Sequence, residues 1–372
     1  MKRKGIVFYW ASNQSPKTVF EHVSEIANVQ GYDFDVVNIQ ESFFYKIIIS
    51  PIGFLVLNKY DIIIIHNTIS YNADYSRSFL KKLKFRKSAK LVYMKQDEML
   101  HVNKTKDIIK DFNVHLLVTL IKKEEIEKVY PRNEFPNLNF FHSLTGYLSK
   151  DLIAGYPSID IDKRTIDVFY RGMMTPFEWG KASFEKYMIG QKFLESVSSL
   201  KVQLNCDISS RTEDRVYGLE WIKKLSNSRA VLGVESGASI FDFDGTIATR
   251  MQMLINANPE LTFEVASSTL LSEYEGNVYY RMLSPRHLEA CMAGAVPVMF
   301  EGNYDGFFMP DVNYIKLEAD FSNFVEVCRS LEDLTYLNQI VERNNVDILE
   351  NRFLTYDYFK ESLKESIDSL FD

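Results

Sequence analysis

The chain has 372 residues, more than a single hydrophobic core usually serves, so two domains of ordinary size are the expected division. Hydrophobic residues make up 46% and charged residues 25%, which fits a globular protein with ample core material; the formal net charge of -7 argues against a general nucleic-acid binder, because no basic excess exists to neutralise phosphates. Only three cysteines occur, Cys206, Cys291 and Cys328, far apart and in no metal-ligand spacing, and six scattered histidines add no zinc motif.

The start, MKRKGIVFYWAS, is basic, but its apolar run is too short for a signal peptide, which places the protein in the cytoplasm. The first half then alternates apolar runs with helical patterns, the signature of a parallel sheet with helices on both faces. Strands are expected at Gly5 to Trp10, Phe34 to Ile39, Asp61 to His66, Lys90 to Met94, His115 to Leu120 and Leu138 to His142. These runs are rich in Ile and Val rather than alternating, as strands covered on both sides are. No GxGxxG follows the first one, so a dinucleotide site is not expected there. The run FFYKIIISPIGFLVL, residues 43 to 57, is broken by Lys46, Ser50 and Pro51 and falls short of the ~20 apolar residues of a spanning helix. A helix buried between layers is its expected form, with an interfacial helix as the other reading. In open α/β sheets ligands gather at the carboxyl ends of strands, so the informative residues here are Ser12, Asn13, His66, Asn67, Gln96, Asp97, Glu98 and His142. Any one of them would serve equally as a helix cap or a solvated strand end.

Turn formers cluster in residues 143 to 163, SLTGYLSKDLIAGYPSIDIDK, and the domain boundary is expected there. The strand pattern restarts at Thr165 to Tyr170, followed by RGMMTPFEWGKASFEK, then at Leu200 to Asn205 with CDISSRTEDRVYGLEW, and at Ala230 to Val234 with ESGASIFDFDG. Residues 246 to 280 read as an insertion. Beyond them Ser284 can cap a helix, Pro285 fits its first turn, Leu288, Cys291 and Met292 form an apolar stripe, and Gly294 ends it. An apolar run follows at Val296 to Phe300, then a Gly-rich aromatic loop, a second strand at Asn313 to Leu317, and Asp320 as the cap of the next helix. Residues 346 to 372 read as one amphipathic helix, with Ile348, Phe353, Tyr356 and Phe359 at roughly helical spacing.

The segment SPRHLEACMAGAVPVMF resembles the C-terminal signature of GT-B glycosyltransferases, most closely the "glycosyltransferases group 1" proteins of bacterial surface-polysaccharide clusters. The resemblance implies two Rossmann-like parallel-sheet domains facing a cleft. Residues 1–160 would form the acceptor side, 161–345 would bind the nucleotide sugar, and 346–372 would be a helix crossing back to the first domain. It implies that Glu289 holds the donor ribose, with Ser284, Arg286 and His287 at a helix N-terminus aimed at the diphosphate. Eight positions before Glu289, where many retaining members carry a second Glu, this chain has Arg281. Arg171 and Gly172 match the first strand end of the donor domain, where a basic pair commonly neutralises the diphosphate, with Lys186 or Lys181 supplying the second charge. Asp207, Arg211 and Arg215, and then Glu235, Ser236 and Gly237, fall at the next two strand ends. On the acceptor side Ser12, Asn13, His66, Asp97 and Glu98 could touch acceptor hydroxyls, and Asp97 or His66 could act as general base if the reaction inverts. The implied activity moves a sugar from a nucleoside-diphosphate donor to a glycan or lipid-linked acceptor, in the manner of O-antigen or capsule synthesis, at or near the inner face of the membrane. It would need no metal, because arginines and a helix terminus can offset the charge of the leaving diphosphate, and the net charge of -7 argues against a nucleic-acid partner. Read without the resemblance, Arg286 and Glu289 are spaced i, i+3 and could be a surface ion pair.

Two other motifs share one place. Asp242-Phe-Asp244-Gly-Thr246 matches the first motif of haloacid-dehalogenase-type phosphatases, where the first Asp is nucleophile, the second acid and base, and magnesium sits between them. That fold needs the motif on its first strand with a paired acidic motif downstream, and here it falls two-thirds along the chain with neither. The same Asp-x-Asp resembles the metal motif of GT-A glycosyltransferases, against which two successive α/β units argue. A two-lobed sugar-binding protein is the remaining alternative.

Overall fold

In a computed structural model the described residues are 2–12, 17–40, 45–46, 48, 50, 53–69, 80–81, 83–84 and 86–372. They form two units, residues 1–143 with 356–372, and residues 144–355.

The first unit carries a parallel sheet of β1 Arg3–Tyr9, β2 Tyr32–Asn38, β3 Ile62–Ile65, β4 Lys90–Met94, β5 Leu116–Thr119 and β6 Asn139–His142, in the order β2-β1-β3-β4-β5-β6. All four isoleucines of β3 are buried, because this strand is paired on both sides and covered on both faces, where β-branched side chains fit a pleated surface. The chain goes outward from β1 to β2 and then returns to the far side at β3, so the order reverses between β1 and β3. Helices α1 Lys17–Ala27 and α2 Val102–Asp111 belong to this unit. Of the run 43–57, the described part shows Tyr45, Ile48 and Leu57 buried and Leu55 exposed, with a short helix at Gly53–Leu57; residues 43, 44, 47, 49, 51 and 52 lie outside the described set. Among the described residues no helix is long and apolar enough to cross a membrane.

The second unit has a parallel sheet of β7 Ile166–Arg171, β8 Cys206–Ser209, β9 Ser228–Gly233, β12 Val296–Phe300 and β13 Ile315–Leu317, ordered β13-β12-β9-β7-β8. The order reverses between β7 and β9, so their carboxyl ends frame the crevice where a ligand is expected in such a sheet. A small antiparallel pair, β10 Ser236–Ala238 and β11 Tyr280–Met282, brackets the insertion. The helices used below are α3 Lys181–Leu200, α4 Gly218–Ser226, α5 Thr246–Ala257, α6 Pro285–Met292, α7 Phe324–Glu332, α8 Leu334–Asn344 and α9 Tyr356–Asp368. Two clusters fill the faces of the sheet: Phe169, Leu288, Cys291, Met299 and Tyr304 on one side, and Val168, Phe193, Leu232, Val298 and Phe324 on the other. The insertion has a cluster of its own, with Ile247, Met251 and Leu271 around Phe263, which stacks on Phe184 of α3 at 4.2 Å.

Three local expectations change. The alternation of Leu200, Val202 and Leu204 reads as a strand, but Leu200 ends α3, Lys201 turns left-handed at φ 53, and Val202 and Leu204 pack as an edge of the core before β8 begins at Cys206. Asp320 caps the amide of Ser322, while Asn323 holds the N-cap position of α7. The tail is not one helix from 346: Asn345–Leu349 is a π turn, Arg352–Leu354 a 3-10 turn, and Thr355 is extended, so α9 starts only at Tyr356. Its stripe of Tyr356, Phe359, Leu363 and Ile367 is buried within the first unit, and Phe353 is left half exposed.

Candidate functional site

Helix α6 is set by its first turn. Ser284 Oγ accepts from the helix amides, the Ser284 amide donates to His287 Nδ1 at 3.2 Å, and Pro285 at the first helical position needs no amide partner. His287 is buried against β9, where a Cβ on Gly233 would stand 3.0 Å from its Nε2, so a larger residue there would press on the ring. Burial, with the charge of Arg286 and then that of Lys186, holds the His287 pKa down to about 3; a backbone contact of Val234 opposes them. It is therefore a neutral cap.

One turn on, Glu289 is half-buried. Its Oε2 accepts from the indole Nε1 of Trp221, on α4, at 3.0 Å. Burial raises the Glu289 pKa, against the hydrogen bond from Trp221 and the charge of Arg286. Among the described residues its other oxygen, Oε1, takes no hydrogen bond. Arg286 lies with its guanidinium 5.4 Å from the Trp221 ring and donates from Nη1 to the Arg171 carbonyl at 2.5 Å, at the end of β7. No Arg286–Glu289 ion pair forms among the described residues; the indole serves both. Underneath, Phe169 of β7 packs on Trp221 at 5.4 Å. The strand end, the capped helix start and one aromatic ring thus meet, with a carboxylate oxygen and guanidinium N–H groups left over. Such a set can accept from a sugar hydroxyl and donate to an anion.

Arg171 is differently disposed than its position suggests. Its guanidinium donates to Asp207 Oδ1 at 2.5 Å and to the carbonyls of Asp214, Tyr170 and Asp207. The backbone of Arg171 is at the site and its charge is not. Asp207 is also bound by Lys224 at 2.7 Å; burial alone would raise its pKa, but the bonds from Lys224 and Arg171 hold it below the usual range. Gly172 has no room for a Cβ, which would stand 2.3 Å from the Lys186 carbonyl. Lys186, on α3, reaches towards Ser236 Oγ at 3.5 Å and the Gly237 carbonyl at 3.4 Å, which puts a cation beside the small residues after β9. Arg215 is exposed and rests on Met173 and Tyr217, and Arg211 pairs with Asp214.

Glu235 is buried and works on the backbone. Its Oε1 accepts from the amides of Asn303 and Tyr304 at 3.2 and 3.0 Å, and Arg281 joins it at 3.7 Å while binding Glu185 at 3.0 Å. A Cβ on Gly302 would strike the Glu235 carboxylate at 2.9 Å. The loop after β12 is thereby pinned, with Tyr304 and Asp305 both at positive φ, 46 and 55, and strain of this kind collects at functional loops. Sequence reasoning passed over Trp221 and Glu185, and met Arg281 only as a departure from the family pattern. Trp221 was visible at the end of CDISSRTEDRVYGLEW, but nothing local signals a partner 68 residues away.

In the first unit the named residues differ in their exposure. His66 is 1% exposed; His22 Nδ1 lies 3.0 Å from its Nε2 and Thr68 Oγ1 3.0 Å from its Nδ1. Burial, then the neighbouring His22, lowers the His66 pKa, and burial lowers that of His22 to about 4. Such an imidazole is sealed from an acceptor. Glu98 is also 1% exposed and accepts from Thr119 Oγ1, the Leu120 amide and Tyr130 OH; burial lifts it to about 7 against those bonds. Asp97, by contrast, is exposed and left-handed at φ 50, and Ser12 is half-buried just past β1. Asn13 lies outside the described residues.

The DFDGT segment is a helix cap. Asp242 accepts from the amides of Gly245 and Ala248, each at 2.9 Å, and Asp244 from that of Thr246 at 2.9 Å, which starts α5. Among the described residues no three His, Cys, Asp or Glu side chains are grouped to hold a metal.

No protein-family model matches the chain, and no curated protein matches it in sequence. Solved structures do match it in fold. An alpha-glucosyltransferase in complex with UDP and a 13-mer DNA containing an HMU base superposes with a TM-score of 0.58 at 12% identity, covering 100% of both chains. Anabaena Alr3699/HepE in complex with UDP-glucose superposes with a TM-score of 0.53 at 10% identity, covering 99% of this chain and 100% of that one. The fold is GT-B. Two parallel-sheet units in this order are what the glycosyltransferases of that fold share, and the resemblance read in residues 284–300 is matched by a likeness over the whole length.

Proposed function

We propose that this GT-B protein is a glycosyltransferase, and that its second unit holds a nucleoside-diphosphate sugar whose sugar passes to a glycan or lipid-linked acceptor. The observation that carries the reading is the meeting of Glu289, Trp221 and Arg286 at the capped start of α6, beside the reversal point of the sheet. Glu289 Oε1 accepts from the ribose. Arg286 and Lys186, with the positive end of the α6 dipole, take the diphosphate and stabilise the charge that grows on it as the glycosidic bond breaks. Arg171 supports this set through its carbonyl and its tie to Asp207. Glu235 and Arg281 shape the loop after β12. Ser12 and Asp97 serve the acceptor from the first unit, and Asp97 is the exposed carboxylate there for a general-base role. Buried Glu98 and His66 hold the strand ends in place.

Uridine is the first base to test, since UDP is bound by the structures this chain resembles in fold. One of those also binds DNA, but a net charge of -7 favours a carbohydrate acceptor here. Synthesis of bacterial surface polysaccharide, O-antigen or capsule, at the cytoplasmic face of the membrane is the setting we infer. Transfer is expected to be metal-independent, because the diphosphate's partners are cationic side chains and the start of a helix. A thermal-shift panel of UDP, GDP, dTDP and CMP in EDTA tests the reading, because a ligand that binds only the folded state raises its melting temperature. One nucleoside diphosphate should raise it. A rise with free sugar and with no nucleotide would instead mark a sugar-binding protein.

A further inference from the structure

Trp221 touches three side chains of this site. Its indole is gripped from three sides: Phe169 below at 5.4 Å, the Arg286 guanidinium across its face at 5.4 Å, and Glu289 at its N–H at 3.0 Å. A ring so held has one orientation, and its N–H has one direction. Indole nitrogen can only donate, so it occupies one lone pair of one carboxylate oxygen and leaves the other oxygen open. The same plate under Arg286 keeps that cation from swinging onto Glu289 and neutralising it, an alternative that i, i+3 spacing would otherwise allow.

We propose, resting on the donor-site reading above, that Trp221 is the positioning residue for ribose recognition: its N–H fixes the Glu289 carboxylate in one rotamer with Oε1 presented to the ribose hydroxyls, and its ring keeps Arg286 apart for the diphosphate. Trp221 itself need not touch the donor. The role therefore has a signature that a packing role lacks. Removing the N–H while keeping a ring should cost affinity only for ligands that carry ribose hydroxyls, and only when Glu289 is present.

The test is calorimetric titration of the full chain with UDP and with 2′,3′-dideoxy-UDP, using wild type, Trp221→Phe, Glu289→Ala and the double variant. Wild type should prefer UDP by roughly tenfold or more. Trp221→Phe should lose most of that preference, about fivefold in UDP affinity, with dideoxy-UDP binding unchanged; in the Glu289→Ala background it should add nothing, since coupled residues are not additive. The acid side of the UDP-binding pH profile should also move to higher pH in Trp221→Phe, because the hydrogen bond that favours the ionised carboxylate is gone. If Trp221→Phe unfolds, Trp221→Tyr, whose hydroxyl falls elsewhere, is measured the same way. Unchanged ribose preference in the Trp221 variant, while Glu289→Ala abolishes it, overturns the positioning role and leaves the donor site standing. Tighter UDP binding overturns it too, for the indole would then be competing with ribose for Glu289. A wild type indifferent to the ribose hydroxyls, or to Glu289→Ala, sinks the donor-site reading and this inference together.

Discussion

Two arginines at one strand end illustrate how a residue's position and its charge can part company. Arg171 has the strand-end placement that suits a diphosphate, yet its guanidinium is turned to Asp207 and three carbonyls, whereas Arg286, the third residue of the signature segment, keeps N–H groups to spare. Arg171→Ala should therefore lower stability, on the order of 1 to 3 kcal/mol for hydrogen bonds to a charged group left unmade, while the folded fraction binds UDP as before. Arg286→Ala should do the reverse, weakening UDP with little change in melting. Calorimetry beside thermal melts separates them, and an equal loss of UDP affinity in both variants would mean that Arg171 reaches the diphosphate. The buried titrating groups of the first unit make a second residue-scale test. His22 and His66 have lowered pKa values, so between the ordinary 6.5 and about 4 the unfolded chain binds protons that the folded one refuses, and stability is lost as pH falls through that window. Glu98, raised to about 7, works in the opposite sense: stability is lost as pH rises from the unfolded carboxylate value to 7. His22→Gln should thus flatten the fall in melting temperature from pH 6.5 to 4. Wild-type and variant curves that run parallel there would show that His22 titrates normally.

Elements bring together what residues cannot signal alone. The start of α6 was legible because Ser284, Pro285 and Gly294 each carry a local backbone reason, and local reasons survive in a single sequence. The segment from Leu200 to Leu204 was misread because alternating apolar residues fit a strand as well as an irregular edge packed on the core, and only the left-handed Lys201 decides between them. Asp242-Phe-Asp244-Gly-Thr246 shows the same ambiguity in chemical form: two carboxylates at that spacing suit a metal, but also suit the free amides at the head of a helix. Asp242 spends its oxygens on Gly245 and Ala248. Asp242→Ala should accordingly cost about 1 to 2 kcal/mol as a lost cap, seen as an earlier denaturant midpoint, with nucleotide affinity retained. A variant of undiminished stability that loses a magnesium-restored activity would point to the phosphatase reading instead.

At the scale of the whole molecule, the repeated alternation of apolar runs and helical patterns was enough for two parallel sheets, because a strand covered on both faces writes itself as an Ile- and Val-rich run. The site was less legible. Glu289, Arg286 and Ser284 lie within six residues and could be read together, but Trp221, Glu185 and Arg281 enter through contacts that cross 68 and 96 positions of chain, where one sequence has no periodicity to show. His66 and Glu98 stood at strand ends as an acceptor site would require, and burial removes both from solvent. In the proposed donor site a carboxylate of the second unit reads a ribose without help from a metal. The most direct test is calorimetric titration of UDP into the full chain in EDTA, wild type against Glu289→Ala. Binding in EDTA that weakens by roughly tenfold or more in the variant, as loss of about 1.5 kcal/mol or more of hydrogen bonding to a charged group implies, is the expected result. Binding that needs added manganese or magnesium, or that is the same in both proteins while Glu289→Ala melts earlier, would contradict it.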